Sequence, residues 1–158
     1  MTVFIAKDTC TLIAFPILGA RVLGGMRQPF VWTGTVMASI GMLLDILSGL
    51  IVLSFRRVAE SCANATHSTQ QSCAVLSDIV FRYVWRVETP FIVGFLSIAV
   101  IIFSRAMFGG RFGRAIPWMG AVIGTIGIAG ALIGLIQPIL LLSIWYIAVG
   151  WRLLREAA

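Results

Sequence analysis

Residues 30–55 read FVWTGTVMASIGMLLDILSGLIVLSF, and this stretch decides the class of fold. Asp45 is its single charged side chain, and most of the other residues are apolar. Because a helix needs about 20 apolar residues to cross the hydrocarbon core of a bilayer, the stretch predicts a membrane-spanning helix.

The composition of the whole chain agrees with this prediction. Of its 158 residues, 59% are hydrophobic, 12 are Lys or Arg and 6 are Asp or Glu, and the mean hydropathy is +1.01. A soluble domain of this length needs a polar surface around its core, which so few charges cannot supply. We therefore expect a single integral membrane domain over residues 1–158, built as an all-α polytopic transmembrane helical bundle.

Five stretches are apolar enough to be considered as spans. The expected spans are 9–26, 30–55, 90–104, 115–135 and 138–152. The last two belong to one uncharged run that is too long for a single span, and Gln137 and Pro138 near its middle predict a tight hairpin. The count falls to four if the first stretch only lies at the membrane interface. A short interfacial helix is expected over residues 77–88.

The Lys and Arg residues of the loops set the expected orientation. With five spans, five basic residues fall on one side and seven on the other, which puts the C-terminus in the cytoplasm. Arg56 and Arg57, directly after a span, argue for the opposite orientation. Eleven Arg against one Lys suggest a bacterial genome rich in GC, hence the cell (inner) membrane. The basic residues that give the net charge of +6 flank the apolar spans. The expected partners are therefore membrane lipids and not nucleic acid.

A face of small residues surrounds the acid of the second span. Gly34, Ala38, Gly41, Asp45 and Ser48 recur at steps of four, three, four and three, so they lie on one side of a helix. Small residues let a neighbouring helix approach closely, and a carboxylate in hydrocarbon is costly. We therefore expect Asp45 to point into the bundle. It is either a proton, cation or ligand site or a structural acid bonded across a helix interface.

The fourth span repeats this spacing without an acid. Its small residues are Gly120, Gly124, Gly127, Ala131 and Gly134. The pattern predicts close helix packing, either within the chain or at the seam of a homodimer.

Charged and aromatic residues alternate in SDIVFRYVWRVE, residues 77–88. Asp78 precedes Arg82 by four positions, which favours an ion pair on a helix. Thr89 and Pro90 are expected to begin the next helix as its N-cap and first residue. The segment is either an interfacial helix or a lining in which Arg82, Arg86 and Glu88 face a polar cavity. In the second case they would bind an anionic headgroup or pair with Asp45.

Two of the three cysteines bracket a polar stretch, CANATHSTQQSC. A disulfide between Cys62 and Cys73 would stabilise this loop by about 3 kcal/mol if it faces an oxidising compartment. The spacing is not that of a CxxC redox enzyme.

The sequence carries little that could hold a metal or a cofactor. His67 is its only histidine, which excludes a bis-histidine haem or a histidine-rich metal site. The motifs HExxH, GxSxG and GxxxxGK[ST] do not occur. We expect no cofactor, no metal and no catalytic residue.

Four stretches resemble a known group of membrane proteins. They are LLDILSGLIVLSFRRVAE (43–60), FRYVWRVETP (81–90), SRAMFGGRFGRAIPWMGAVIGTIGIAG (104–130) and LSIWYIAVGWRLLR (142–155). Together they cover roughly half the chain and are similar to the uncharacterised bacterial multi-pass proteins of domain of unknown function 4386. The chain is shorter than those proteins by one or two spans. The resemblance implies a membrane protein and assigns no catalytic residue.

Three functional classes follow from the sequence. The first is a non-enzymatic structural, assembly or sensing component, either a homo-oligomer or part of a membrane complex. The second is a small transporter or a lipid- or ligand-binding protein that uses the buried acid Asp45. An intramembrane enzyme ranks last, because it needs several convergent polar groups and the spans show one acid.

Overall fold

A computed structural model describes residues 29–63, 67–108, 110, 112–135 and 138–157, and the structural statements below concern these residues. The elements are α1 (Pro29–Ala63), α2 (His67–Tyr83), a π-helical turn (Val84–Glu88), α3 (Thr89–Met107), α4 (Ala115–Leu132) and α5 (Pro138–Ala157). The described chain contains helices, turns and no strand, so the prediction of an all-α fold is confirmed.

Three helical runs are long and apolar enough to cross a membrane. They are Pro29–Cys62, Thr69–Met107 and Ala115–Leu132. The structure therefore supports a helical membrane protein but not the expected five spans. The expected span 9–26 lies outside the described residues, and α5 occupies the place of the expected last span.

The expected interfacial helix at 77–88 is not a separate element. Helix α2, the π-helical turn and α3 follow one another without a break, so the segment belongs to one long helix. Pro90 explains the π-helical turn, because proline has no N–H for the carbonyl four residues earlier and its ring clashes with that carbonyl. Thr89 does not act as the expected N-cap. Its backbone N–H and its hydroxyl both donate to the carbonyl oxygen of Val84, the hydroxyl at 2.9 Å.

Helix α3 lies at the centre of the bundle and contacts α1, α4 and α5. It contributes more side chains to the core than any other helix. Those with 0% exposure are Val93, Ser97, Ala99, Val100, Phe103 and Ser104. Trp145 of α5 is also fully buried. The apolar side chains on the outer faces of the bundle are exposed, as expected for helices surrounded by lipid.

The small residues of α1 face α3. Gly34, Ala38, Gly41 and Ser48 are buried. A Cβ at Gly34 would lie 3.0 Å from the Ile102 side chain, and one at Gly41 would lie 3.1 Å from the Leu96 side chain. Because the residue numbers rise along α1 as they fall along α3, the two helices are antiparallel.

A closer seam joins α3 to α4. Cβ atoms placed on Gly120 and Gly127 would overlap the hydroxyls of Ser104 and Ser97, respectively. Gly124 leaves so little room that its Cβ would lie 2.8 Å from the backbone oxygen of Ser97. Such close approach lets dispersion forces act between the two backbones, and these forces drive helix association in lipid.

The last two residues of the expected α4 face lie at the edge of this seam or beyond it. Ala131 is half-buried and is 3.8 Å from a Cβ built on Gly94. Gly134 does not lie on the packing face. It has a φ of +72° and forms the turn after α4, where Leu135 N–H donates to the Gly130 carbonyl at 2.8 Å. Glycine adopts this left-handed conformation without steric cost, which ends the helix three residues before the expected bound.

We predict that Gly124→Ala lowers the free energy of unfolding by about 1–3 kcal/mol, because the new methyl group meets a backbone atom that cannot move aside. The matched control is Gly150→Ala in α5, where a Cβ has no described atom within 4 Å. It should be neutral or up to about 1 kcal/mol more stable, since alanine is the better helix former. Chemical unfolding in detergent micelles measures both values. Equal free energies of unfolding for the two variants would contradict close packing of α3 against α4 at Gly124.

Candidate functional site

Two buried polar side chains lie at the junction of the π-helical turn and α1. Glu88 is 8% exposed and Ser48 is 7% exposed. The Oε2 atom of Glu88 and the Oγ atom of Ser48 are sealed from solvent and have no hydrogen-bond partner within the described part of the chain. Buried polar atoms normally have partners, so this pair marks a candidate site.

The register of α1 against α3 brings the two side chains to one level. Gly41 packs against Leu96 and Phe95. Ser48 lies seven residues after Gly41 on α1. Glu88 and Thr89 lie seven residues before Phe95 and Leu96 on the antiparallel helix. Both helices rise by about 1.5 Å per residue, so the two positions stay level.

The contacts between elements support this placement. The π-helical turn contacts α1 directly. Glu88 also continues the line of Ile92, Leu96, Ala99 and Phe103, which are buried on α3 at steps of four or three. Glu88 and Ser48 therefore belong to the same helix interface.

Asp45 lies one turn deeper in the bilayer than Ser48. It is half-buried, and the same register places it level with Phe91 and Ile92. We call Asp45, Ser48 and Glu88 the acid cluster. Two carboxyl groups and a hydroxyl from two helices thus come within about one helical turn of each other along the membrane normal.

The two arginines of the expected cavity lie elsewhere. The Arg82 guanidinium is 2.8 Å from the Asp78 carboxylate, in the ion pair that the spacing predicts, and both side chains are more than half exposed. Arg86 is exposed as well. The structure therefore separates Glu88, which points into the bundle, from Arg82 and Arg86, which point outward.

The depth of the acid cluster follows from the thickness of a bilayer. About 20 helical residues cover the hydrocarbon core, so a core that begins at Arg105 of α3 ends near Trp85. Tyr83, Trp85 and Arg86 then lie at the level of the headgroups, where aromatic and basic residues are favoured. Glu88 lies about one turn inside that boundary.

Beyond this boundary the chain forms a helical hairpin closed by a disulfide. A bond links Cys62 to Cys73, and their Cα atoms are 6.3 Å apart. We call residues 56–63 and 67–83 the disulfide hairpin. Two ion pairs run along its helices, Asp78 with Arg82 and Arg56 with Glu60, the second at 3.1 Å.

The α3–α4 seam contains three further buried polar atoms that sequence reasoning missed. They are the hydroxyl oxygens of Ser97 and Ser104 and the indole nitrogen of Trp145, and none has a hydrogen-bond partner among the described residues. The spacing of Gly94, Ser97 and Ser104 could have predicted a face of small residues on α3. These residues lie three and seven positions apart on one side of the helix. These atoms sit against glycines of α4, which indicates packing and not a cavity.

Comparison of the chain with protein-family models, with curated proteins and with solved structures finds no match.

We predict that Thr89→Val lowers the free energy of unfolding by about 1 kcal/mol, because its hydroxyl bridges the irregular π-helical turn. The matched control is Thr125→Val, which removes a bond of 2.8 Å to the Ala121 carbonyl on an exposed and regular part of α4. The free energy of unfolding should fall in Thr125→Val by less than half of its fall in Thr89→Val. Chemical unfolding measures both variants, and equal losses would show that the bond at Thr89 adds nothing to the turn.

Proposed function

We propose that this chain is a non-enzymatic membrane protein of the structural, assembly or sensing kind, which presents the disulfide hairpin outside the bilayer. The observation that carries the proposal is the length of the helices that enter the hairpin. Helix α1 has 35 residues and is about 52 Å long, whereas the hydrocarbon core is about 30 Å thick. Part of α1 and most of α2 therefore extend beyond the core.

The hairpin carries apolar side chains at a level where lipid tails do not reach. Val75, Leu76 and Ile79 are 57%, 48% and 58% exposed on α2. They line an open groove of about 440 Å³ together with Gln71 and Ser72. Exposed apolar patches outside a bilayer are typical of surfaces that contact proteins, so the proposed partner is a protein of the same membrane, either a second copy or another subunit.

The disulfide and the topology favour one orientation. Disulfides persist in oxidising compartments, so the hairpin would face away from the cytoplasm. Helix α5 starts beside the end of α4, where Pro138 packs against Gly130, and it runs back to the opposite side. The proposed location is a bacterial inner membrane with the C-terminus in the cytoplasm. Membership of the domain of unknown function 4386 group remains a prediction from the sequence.

A small transporter or ligand-binding protein is the second candidate function. The observation that favours it is the burial of Ser48 and Glu88, about one helical turn from the level of Asp45. The two candidates differ in one expected result. In a structural component, Asp45→Asn leaves the fold and the partner contacts intact, whereas in a transporter it removes a phenotype that depends on pH.

We predict that the two hairpin cysteines react with a membrane-impermeant maleimide on intact spheroplasts only after treatment with an impermeant reductant. The experiment uses a Cys10→Ser background, in which Cys62 and Cys73 are the remaining thiols. The control adds Cys62→Ser and Cys73→Ser and should stay unlabelled. Labelling without the reductant, or only after lysis, would contradict an oxidised hairpin outside the cytoplasm.

We predict that a photo-crosslinking residue at Ile79 forms adducts with protein in native membranes. The matched control is the same residue at Ile144, which is 51% exposed on α5 and lies within the bilayer in the proposed topology. It should yield far fewer protein adducts, because its neighbours are lipids. If the two positions give the same adducts, the hairpin has no special role in assembly.

A further inference from the structure

Glu88 and Ser48 leave two buried oxygen atoms that a ligand could satisfy. Each of these atoms loses its water on burial, and none of the described residues replaces it with a hydrogen bond. An unmet buried acceptor destabilises the folded state, and a carboxylate does so more than a hydroxyl. A bound group that contacts both oxygens would remove this penalty.

The charge at this level of the bundle defines the ligand. Glu88 brings one negative charge into the α1–α3 interface, while the nearest arginines of its own helix, Arg82 and Arg86, point away from it. A ligand with a positive charge is therefore favoured at Glu88.

The chemistry of the donors narrows the ligand to a metal cation of low charge. Carboxylate and hydroxyl oxygens are hard ligands, which suit alkali and alkaline-earth ions. The π-helical turn lies at this level, and interrupted helices in membranes are a recurring source of sodium sites. The carboxylate at the level of Ser48 is that of Glu88, and its single negative charge balances the charge of a monovalent cation.

We propose that Glu88 and Ser48 bind a monovalent metal cation as direct ligands. This site deepens the second candidate function and does not depend on the disulfide hairpin. Its failure would therefore leave the proposed assembly role untouched.

The test is thermal unfolding of the purified full chain while sodium chloride replaces choline chloride at constant ionic strength. Wild type should gain a few degrees in its unfolding midpoint as sodium saturates the site, because a ligand that binds the folded state stabilises it. Glu88→Gln should lose the gain. Ser48→Ala should keep it but need about five- to tenfold more sodium, since it lacks one ligand.

Two further variants make the result specific. Glu60→Gln removes an exposed acid of α1 at the same end of the molecule and should retain the full sodium response. Glu88→Asp keeps the charge and should retain part of it, which shows that a loss in Glu88→Gln is not a failure to fold.

Three results would overturn the proposal. The first is an equal midpoint in sodium and choline, including the case in which the midpoint moves with pH alone. The second is a sodium response that persists in Glu88→Gln. The third is a calcium response larger than the sodium response, which would assign the site to a divalent ion.

Discussion

The close approach of α3 and α4 is the constraint on which the rest of the bundle depends. Apolar side chains gain nothing by leaving lipid for a protein interior, so helices in a membrane associate through tight packing of their backbones. Glycines at positions 120, 124 and 127 permit that packing, and side chains at these positions would collide with Ser104, Ile101 and Ser97. The opposite face of α3 packs Leu96 against Gly41 and Phe103 against Gly34 of α1.

The polar atoms within the bundle are of two kinds, and their surroundings separate them. The side chains of Ser97 and Ser104 lie against glycines of α4. Their small size permits the close approach of α3 and α4. Glu88 is different, because a long carboxyl side chain contributes nothing to close packing that an apolar residue could not supply. A buried acid at the edge of the hydrocarbon core is costly to insert, and this cost is the physical reason to look for a ligand there.

Much of the fold could be predicted from the sequence, because its signals are local. The small residues of α1 and α4 sit at helical spacing, and proline chemistry predicts a turn near Pro138. Gly134 was expected on the packing face and instead forms the turn that ends α4. The structure also contains the Cys62–Cys73 bond and the Asp78–Arg82 ion pair. The number of spans was the weaker inference, because mean hydropathy does not show where one helix passes into the next. Helices that extend beyond the bilayer, such as α1, also look longer than a span requires.

The candidate site was harder to predict because it depends on Pro90. A regular helix start at Thr89 would have left residues 77–88 as an independent segment, free to place Arg82, Arg86 and Glu88 around one cavity. The π-helical turn instead keeps the helix continuous and fixes the rotation of everything before it. One residue more per turn rotates the preceding helix by about 100° relative to a regular α-helix. Val84 and Glu88 face the bundle while Arg82 and Arg86 face outward. The separation of the buried acid from its nearest positive charges follows from their spacing on this continuous helix, because Arg86 and Arg82 lie about 200° and about 240° around the axis from Glu88.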